Sequence, residues 1–382
     1  MRTASFTNLL PLGSMMFKYL LTFCLLMAAS GATFAQKAPL RVGIVGLTHA
    51  HVHGILGRKG HDDLQIVGIV EPNRDLAQRY SKQYGYSMNI VYKTTDEMLA
   101  ATKPEVVTAF GSIYEHLAVV QACAPKGVHV MVEKPLAVSL DHARKMEALA
   151  KKHHIQLLTN YETTWYPTNH EAYDLLKKGT VGPLSQVVVH DGHRGPKNIG
   201  VNKEFLDWLT DPVQNGGGAL IDFGCYGVNL MTWLQDGKRP TTVTAVTQQL
   251  QPENNPKVDD ESTILLTYDN AKATIQGSWN WPIGRKDMEV YGKTGVIYAD
   301  NKNDLRVRHA EGYDQYKEEK RHLEDRQAPY DDPFTFLVGV VRNEITLKPY
   351  DLSSLENNMI VVEILEAARE SAKTYKSVTL GK

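Results

Sequence analysis

Val128-His129-Val130-Met131-Val132-Glu133-Lys134-Pro135 is the stretch that decides the fold. The apolar, β-branched run up to Val132 reads as a buried strand, and it stops at an ionisable pair and a proline. Pro135 has no N–H to give to a ladder and biases Lys134 away from helix, so the strand ends there. In a parallel sheet the C-terminal strand ends border the ligand crevice. This strand therefore carries Glu133 and Lys134 to such a crevice.

Working outward, further strands are expected at Leu40–Val45, Leu64–Val70, Asn89–Tyr92, Val106–Phe110 and Ile155–Thr159, with helical stretches between them. Asn73 is placed to cap a helix that Gly85 ends. Thr94 and Glu97 have the spacing of a capping box. Ser139 precedes a helix with Ala143, Met146 and Ala150 on one face. Strand–helix alternation predicts an α/β domain, a doubly wound parallel (Rossmann) sheet over residues 37–160.

Gly46 follows the first strand, where a dinucleotide fold makes its phosphate turn. The run Gly46-Leu47-Thr48-His49-Ala50-His51 departs from Gly-x-Gly-x-x-Gly, with Thr48 at the second glycine position. Glu71 ends the second strand, where a carboxylate binds the adenine ribose hydroxyls, and this favours NAD. Arg74 close by keeps NADP open as an alternative. His49, His51 and His53 invite a second reading, since some metal hydrolases begin with a His-x-His pair after a first strand. No orderly series of later strand-end ligands accompanies them, so no metal is expected.

The rest of the composition bounds the function. The chain has 382 residues, 42% hydrophobic and 22% charged, with a net charge of -1 and no basic block. That argues against nucleic acid as a partner. Lys18, the apolar run Tyr19 to Ala29 and the small residues around Ala35 form a secretory signal over residues 1–35, with Met15 or Met16 as alternative starts. The apolar run is too short to favour a membrane anchor. Export, to the periplasm, and no stable membrane span after cleavage are the expectations. Cys123 and Cys225 remain in the mature chain, and both are expected to be free, buried thiols.

Residues 161–382 read as a second, α+β domain. A helix is expected from Asn169 to Lys178 and a strand at Ser185–His190. Strands follow at Thr242–Gln249, Ser262–Tyr268, Ala271–Trp279, Asp287–Gly292 and Gly295–Asp300, which implies a large, mostly antiparallel sheet. The charge-rich run Glu311 to Arg326 reads as a solvated loop or helix. Leu355 to Ala372 reads as a helix burying Ile360, Ile364 and Ala367. Gly216-Gly217-Gly218 permits a close turn into a helix that presents Asp222 and Tyr226 on one face.

Glu133-Lys134-Pro135 after a fifth strand, Gly43-Ile44-Val45-Gly46 in the first, and His116 opening the intervening helix resemble the glucose–fructose oxidoreductase/inositol dehydrogenase (Gfo/Idh/MocA) family. The resemblance runs from Leu40 to Leu380. It implies a nicotinamide-dependent oxidoreductase acting on a sugar or glycoside hydroxyl, with glucoside C3 as one candidate carbon. NAD(P) then lies against Gly43, Gly46, Thr48, His49, Glu71, Arg74, His116 and Glu133. The arginine that the family usually carries before an aromatic and a proline is absent at Tyr161-Glu162-Thr163-Thr164-Trp165-Tyr166-Pro167. In the family's Asp-x-x-x-His pattern the last position here is Tyr226, which is similar to the tyrosine-type branch. There tyrosine is the general acid/base.

On that basis Tyr226 exchanges the hydroxyl proton, Lys134 favours its phenolate and bonds the substrate oxygen, and Asp222 positions substrate. His190, His193, Arg194, Trp208 and Asp211 are expected to line the sugar pocket. The second sheet is expected to make a homo-oligomer interface. Two alternatives stay open: a glycoside hydrolase that uses bound NAD for transient oxidation and elimination, and a non-enzymatic sugar sensor.

Overall fold

The computed structural model describes residues 1–4 and 37–381, so the expected export signal, apart from its first four residues, lies outside the described residues. From Pro39 onward the chain packs as one unit. Its first layer is a six-stranded parallel sheet of β1 (Leu40–Val45), β2 (Leu64–Val70), β3 (Val91–Tyr92), β4 (Val106–Ala109), β5 (His129–Glu133) and β6 (Leu157–Asn160). The order β3-β2-β1-β4-β5-β6 places β1 and β4 side by side at the switch point. Ligands bind at such a crevice.

Local chemistry sets the helices between these strands. Asn73 accepts the Leu76 N–H, and Gly85 closes the same helix in the left-handed conformation. The Thr94–Glu97 capping box is formed, and Ser139 accepts the His142 N–H. The third strand is shorter than expected: Ser87 caps one tight turn at Met88–Ile90, so pairing begins only at Val91. Gly43 and Gly68 are fixed by packing, because a Cβ at either would come within 2.7 or 2.6 Å of Met98. Gly43 therefore lets a helix seat on the sheet.

The second sheet has nine strands. They are β7 (Leu184–Gly192), β8 (Thr242–Gln248), β9 (Glu261–Thr267), β10 (Lys272–Ser278), β11 (Arg285–Gly292), β12 (Gly295–Ala299), β13 (Asp304–Ala310), β14 (Tyr316–His322) and β15 (Val378–Thr379). All neighbours are antiparallel except β7 and β10. The run expected as a solvated loop or helix supplies β14. It stays largely exposed, and its Glu318 accepts from Arg308 of β13 at 2.6 Å. A charged edge strand of this kind resists pairing with other chains.

One face of the second sheet is buried under the Gly224–Leu234 and Leu355–Thr374 helices, which share its apolar cluster. The late Pro333–Val341 helix takes a different course. Phe334, Phe336, Leu337 and Val340 join the cluster on the first sheet, with Leu47, Val52 and Ile55. Both thiols, Cys123 and Cys225, are free and buried. No helix of the described residues is long and apolar enough to cross a membrane.

Candidate active site

The crevice begins where β1 turns. Gly46 has φ +80, and a Cβ there would lie 2.5 Å from the Gly111 nitrogen, so only glycine fits. Glu71, buried at the end of β2, accepts the Leu47 N–H at 2.9 Å and the Asn73 N–H at 2.8 Å. It ties the turn to the start of the next helix. Burial raises its carboxyl above the usual range, against those two bonds. A cavity of about 310 Å³ opens here, lined among others by Gly46, Thr48, Glu71, Thr94 and His116.

His116 donates from Nδ1 to the Leu136 carbonyl at 3.1 Å, which leaves Nε2 as an acceptor sealed from solvent with no partner. Burial lowers its pKa to about 4, so the ring is neutral. An orphan acceptor, a glycine-only turn and a carboxylate ending β2 together fit a dinucleotide. Arg74 lies exposed at the start of the Arg74–Tyr84 helix, three residues after Glu71.

His49 is buried against Phe205 and Trp208, and its Nδ1 accepts the His51 N–H at 3.1 Å. Trp208 donates from Nε1 to Thr48 Oγ1 at 3.0 Å. Trp208, expected to line the sugar pocket, thus clamps the phosphate turn. Glu133 bonds His51 at 2.8 Å and Asn160 at 2.8 Å. Burial alone would raise the Glu133 carboxyl, but the two histidines and these bonds bring it to about 2. The ligand atoms of His49, His51 and Glu133 come within 4.8 Å of one another, a grouping able to hold a metal ion. The arrangement described has His51 and Glu133 bonded directly to each other instead.

β5 then delivers Lys134, 6% exposed. Its ammonium bonds the Asp222 carboxylate and, at 2.9 Å, the Asp222 main-chain oxygen. The other Asp222 oxygen accepts the Trp279 indole N–H at 2.9 Å. Burial opposes both charges, yet each sustains the other: Lys134 stays above its ordinary pKa and Asp222 below. Asp222, expected to position substrate, holds Lys134 in place. The glycine turn before it is sterically required, since a Cβ at Gly218 would lie 1.7 Å from the Asp259 carbonyl oxygen. The helix breaks at Phe223 into Ala219–Asp222 and Gly224–Leu234, which puts Tyr226 in the first turn of the second piece.

The Tyr226 ring is flanked by two ammonium groups, Lys134 at 5.1 Å and Lys286 at 4.7 Å from its centroid. Tyr161 packs edge-on at 5.5 Å. Lys286, from β11, is held by Glu162, whose other oxygen accepts the Tyr166 hydroxyl at 2.6 Å. Burial, then Glu162 and Asp191, push the Tyr226 phenol well above its ordinary value. The resting phenol is therefore held protonated despite the two ammonium groups beside its ring.

Other expected pocket residues divide. His193 packs edge-on to Phe223 at 4.9 Å and borders the Lys134–Asp222 pair, whose charges it senses along with Lys286. His190 projects from the opposite face of β7 to Asp191 and bonds Asp287 at 2.9 Å. Arg194 is exposed, and Asp211 caps a turn by accepting the Val213 and Gln214 N–H groups. Neither is brought to Lys134. The residues that sequence reading missed are Lys286, Glu162, Trp279 and Asp191. For Asp191 a signal existed: alternation along β7 puts it with Val187 and Val189 on the buried face.

Comparison with known proteins agrees with this geometry. Residues 40–161 match the oxidoreductase family's NAD-binding Rossmann fold, and residues 169–298 match the GFO/IDH/MocA C-terminal domain. The chain belongs to the GFO/IDH/MocA family. It is an NAD(P)-dependent oxidoreductase of that family. Among curated GFO/IDH/MocA-like relatives it is 27% identical to the trans-1,2-dihydrobenzene-1,2-diol dehydrogenase of Xenopus tropicalis over 240 residues, 62% of this chain and 67% of that one. In fold it is similar to the aldose-aldose oxidoreductase of Caulobacter crescentus, with a TM-score of 0.74, 22% identity, and coverage of 90% of this chain and 100% of that one. An oxidoreductase from Agrobacterium radiobacter, solved with NAD+, L-tartaric acid and magnesium, gives 0.73 at 18% identity, covering 89% and 98%.

Proposed function

We propose that this family member is an exported oxidoreductase that transfers hydride between a sugar or glycoside carbinol and a nicotinamide. The observation that carries the reading is the buried Lys134–Asp222 pair set against Tyr226 at the C-terminal end of β5. The nicotinamide, when bound, supplies the hydride acceptor or donor. Tyr226 moves the proton. As a protonated phenol it can donate to a carbonyl oxygen, and the ammonium groups of Lys134 and Lys286 favour the phenolate that oxidation of an alcohol needs. Burial of Tyr226 and Lys134 strengthens their interaction relative to water. Glu71 favours the unphosphorylated ribose of NAD, and Arg74 is the group that would receive a 2′-phosphate.

The test is reduction of NAD and of NADP by a panel of free sugars and glycosides, with product analysis. Reduced cofactor together with a ketosugar is the expected result. No reduction by any of them overturns the reading. Free sugar without net redox shifts it to the hydrolase. In this reading the native secreted protein begins at Gln36. Native material that retains Met16 contradicts export by cleavage.

A further inference from the structure

Asp191 is the group at this site that hydride transfer does not use. Its neighbours across the sheet are Lys286 on β11 and Gly277 on β10. Gly277 has no side chain to offer and no room for one, since a Cβ there would lie 2.8 Å from the Ala219 carbonyl oxygen. Lys286 turns its ammonium to Glu162 and to the Tyr226 ring instead. Asp191 is 1% exposed, and its Oδ1 is sealed from solvent without a hydrogen-bond partner. A buried, unpartnered carboxyl oxygen is costly, and an apolar side chain here would be cheaper. It also sits in the electrostatic neighbourhood of the reacting groups: it senses Lys286, Glu162, Lys134 and Asp222, and Tyr226 senses it.

We propose that Asp191 is a further substrate-binding residue, whose buried carboxyl holds the hydroxyl on the carbon next to the reacting one and so makes the site selective for vicinal diols. The inference rests on Tyr226 and Lys134 being the reacting pair. Tyr226 and Lys134 serve one oxygen, and Asp191, paired across the sheet with Lys286, serves the next. Burial holds the Asp191 carboxyl well above its ordinary range, with Glu162 and Asp222 reinforcing and Lys286 and Lys134 opposing. A protonated carboxyl both donates and accepts, which matches a hydroxyl in either orientation.

Sites built to hydrogen-bond a hydroxyl reject the analogue lacking it by up to about 10⁴–10⁵-fold. The experiment compares methyl glucoside with its monodeoxy analogues in kcat/KM, for wild type, Asp191→Leu and Asp191→Asn. Wild type should discriminate against the analogue lacking the neighbouring hydroxyl by about 10²-fold or more. Asp191→Leu should lower the parent glycoside towards the deoxy compound. Asp191→Asn, which keeps a donor and an acceptor, should restore much of the preference, and it should lack the fall in kcat/KM that deprotonation of Asp191 is expected to give in wild type as pH rises. Equal losses on parent and deoxy substrates, or unchanged discrimination in both variants, overturn the proposal. If Asp191→Leu does not fold, the discrimination and pH profile of Asp191→Asn decide alone. Absence of NAD reduction by every compound in wild type instead overturns the sugar oxidoreductase reading itself.

Discussion

Tyr226→Phe should lower single-turnover reduction of bound NAD by about 10²–10⁴-fold, the usual contribution of a positioned acid/base. The substitution keeps the ring that packs against Tyr161 and between the two ammonium groups, so the fold and the cofactor cavity should be unaffected. Only the transferable proton is lost. The rival account gives the proton to a water or to Asp222 and leaves Tyr226 a packing role. Under it Tyr226→Phe retains nearly full turnover. Asp222 is poorly placed for that work, because both its oxygens are engaged, one by Lys134 and one by the Trp279 indole. Stopped-flow traces across pH for the two proteins separate the accounts.

Asp222→Asn should have the largest effect on stability. The variant keeps shape and one acceptor for Trp279 but leaves the Lys134 ammonium buried and unpaired. Removing one member of a buried ion pair costs about 3–5 kcal/mol, a large share of the roughly 5–15 kcal/mol that holds a typical domain together. Lys134 can relieve the cost by losing its proton, and then the cation beside Tyr226 is gone. Either way activity falls. Adding Lys134→Met should recover most of the melting temperature and none of the turnover. The pH dependence has a definite sign. The folded Asp222 carboxyl titrates below its unfolded value, so its stabilisation is present above that value and is lost as pH falls through the folded one. Asp222→Asn should lack this part of the acid limb in melting curves. An unchanged melting temperature and acid limb would count against the ion pair as a structural element.

What could be read from the sequence was local. Caps at Asn73, Thr94 and Ser139, the end of β5 at Pro135, and the turn at Gly46 each follow from chemistry within a few residues. The fold class followed from strand–helix alternation. The site was only half legible, because its second half is assembled across distance. Lys286 is an ordinary strand lysine until β11 pairs with β7 and sets it beside Asp191. His190 and Asp191 are adjacent in sequence, and the pleat sends them to opposite faces, which sequence adjacency hides. The Lys203–Leu209 helix brings Trp208 to Thr48 across a long stretch of chain. The run from Glu311 to Arg326 is solvated, as its charge implies, but it supplies a strand and not a loop or helix, because its backbone pairs with β13, a long-range arrangement that composition does not encode.

The Pro333–Val341 helix gives the molecule an order of completion. The ribosome makes the first sheet within the opening 160 residues, but one of its apolar faces waits for Phe334, Leu337 and Val340. Gly54 leaves room for Phe334, a Cβ there standing 3.4 Å from its ring, and Arg58 reaches Asp332 and Thr335 at 3.2 and 2.6 Å. Until the Pro333–Val341 helix has emerged, the nucleotide half of the nascent chain has a bare greasy surface and an Arg58 without these late partners. The closing helix is thus a latch fitted last. A gene cut between the two sheets would separate that latch from its seat, so swaps of substrate halves among relatives have to carry this helix with the half it closes.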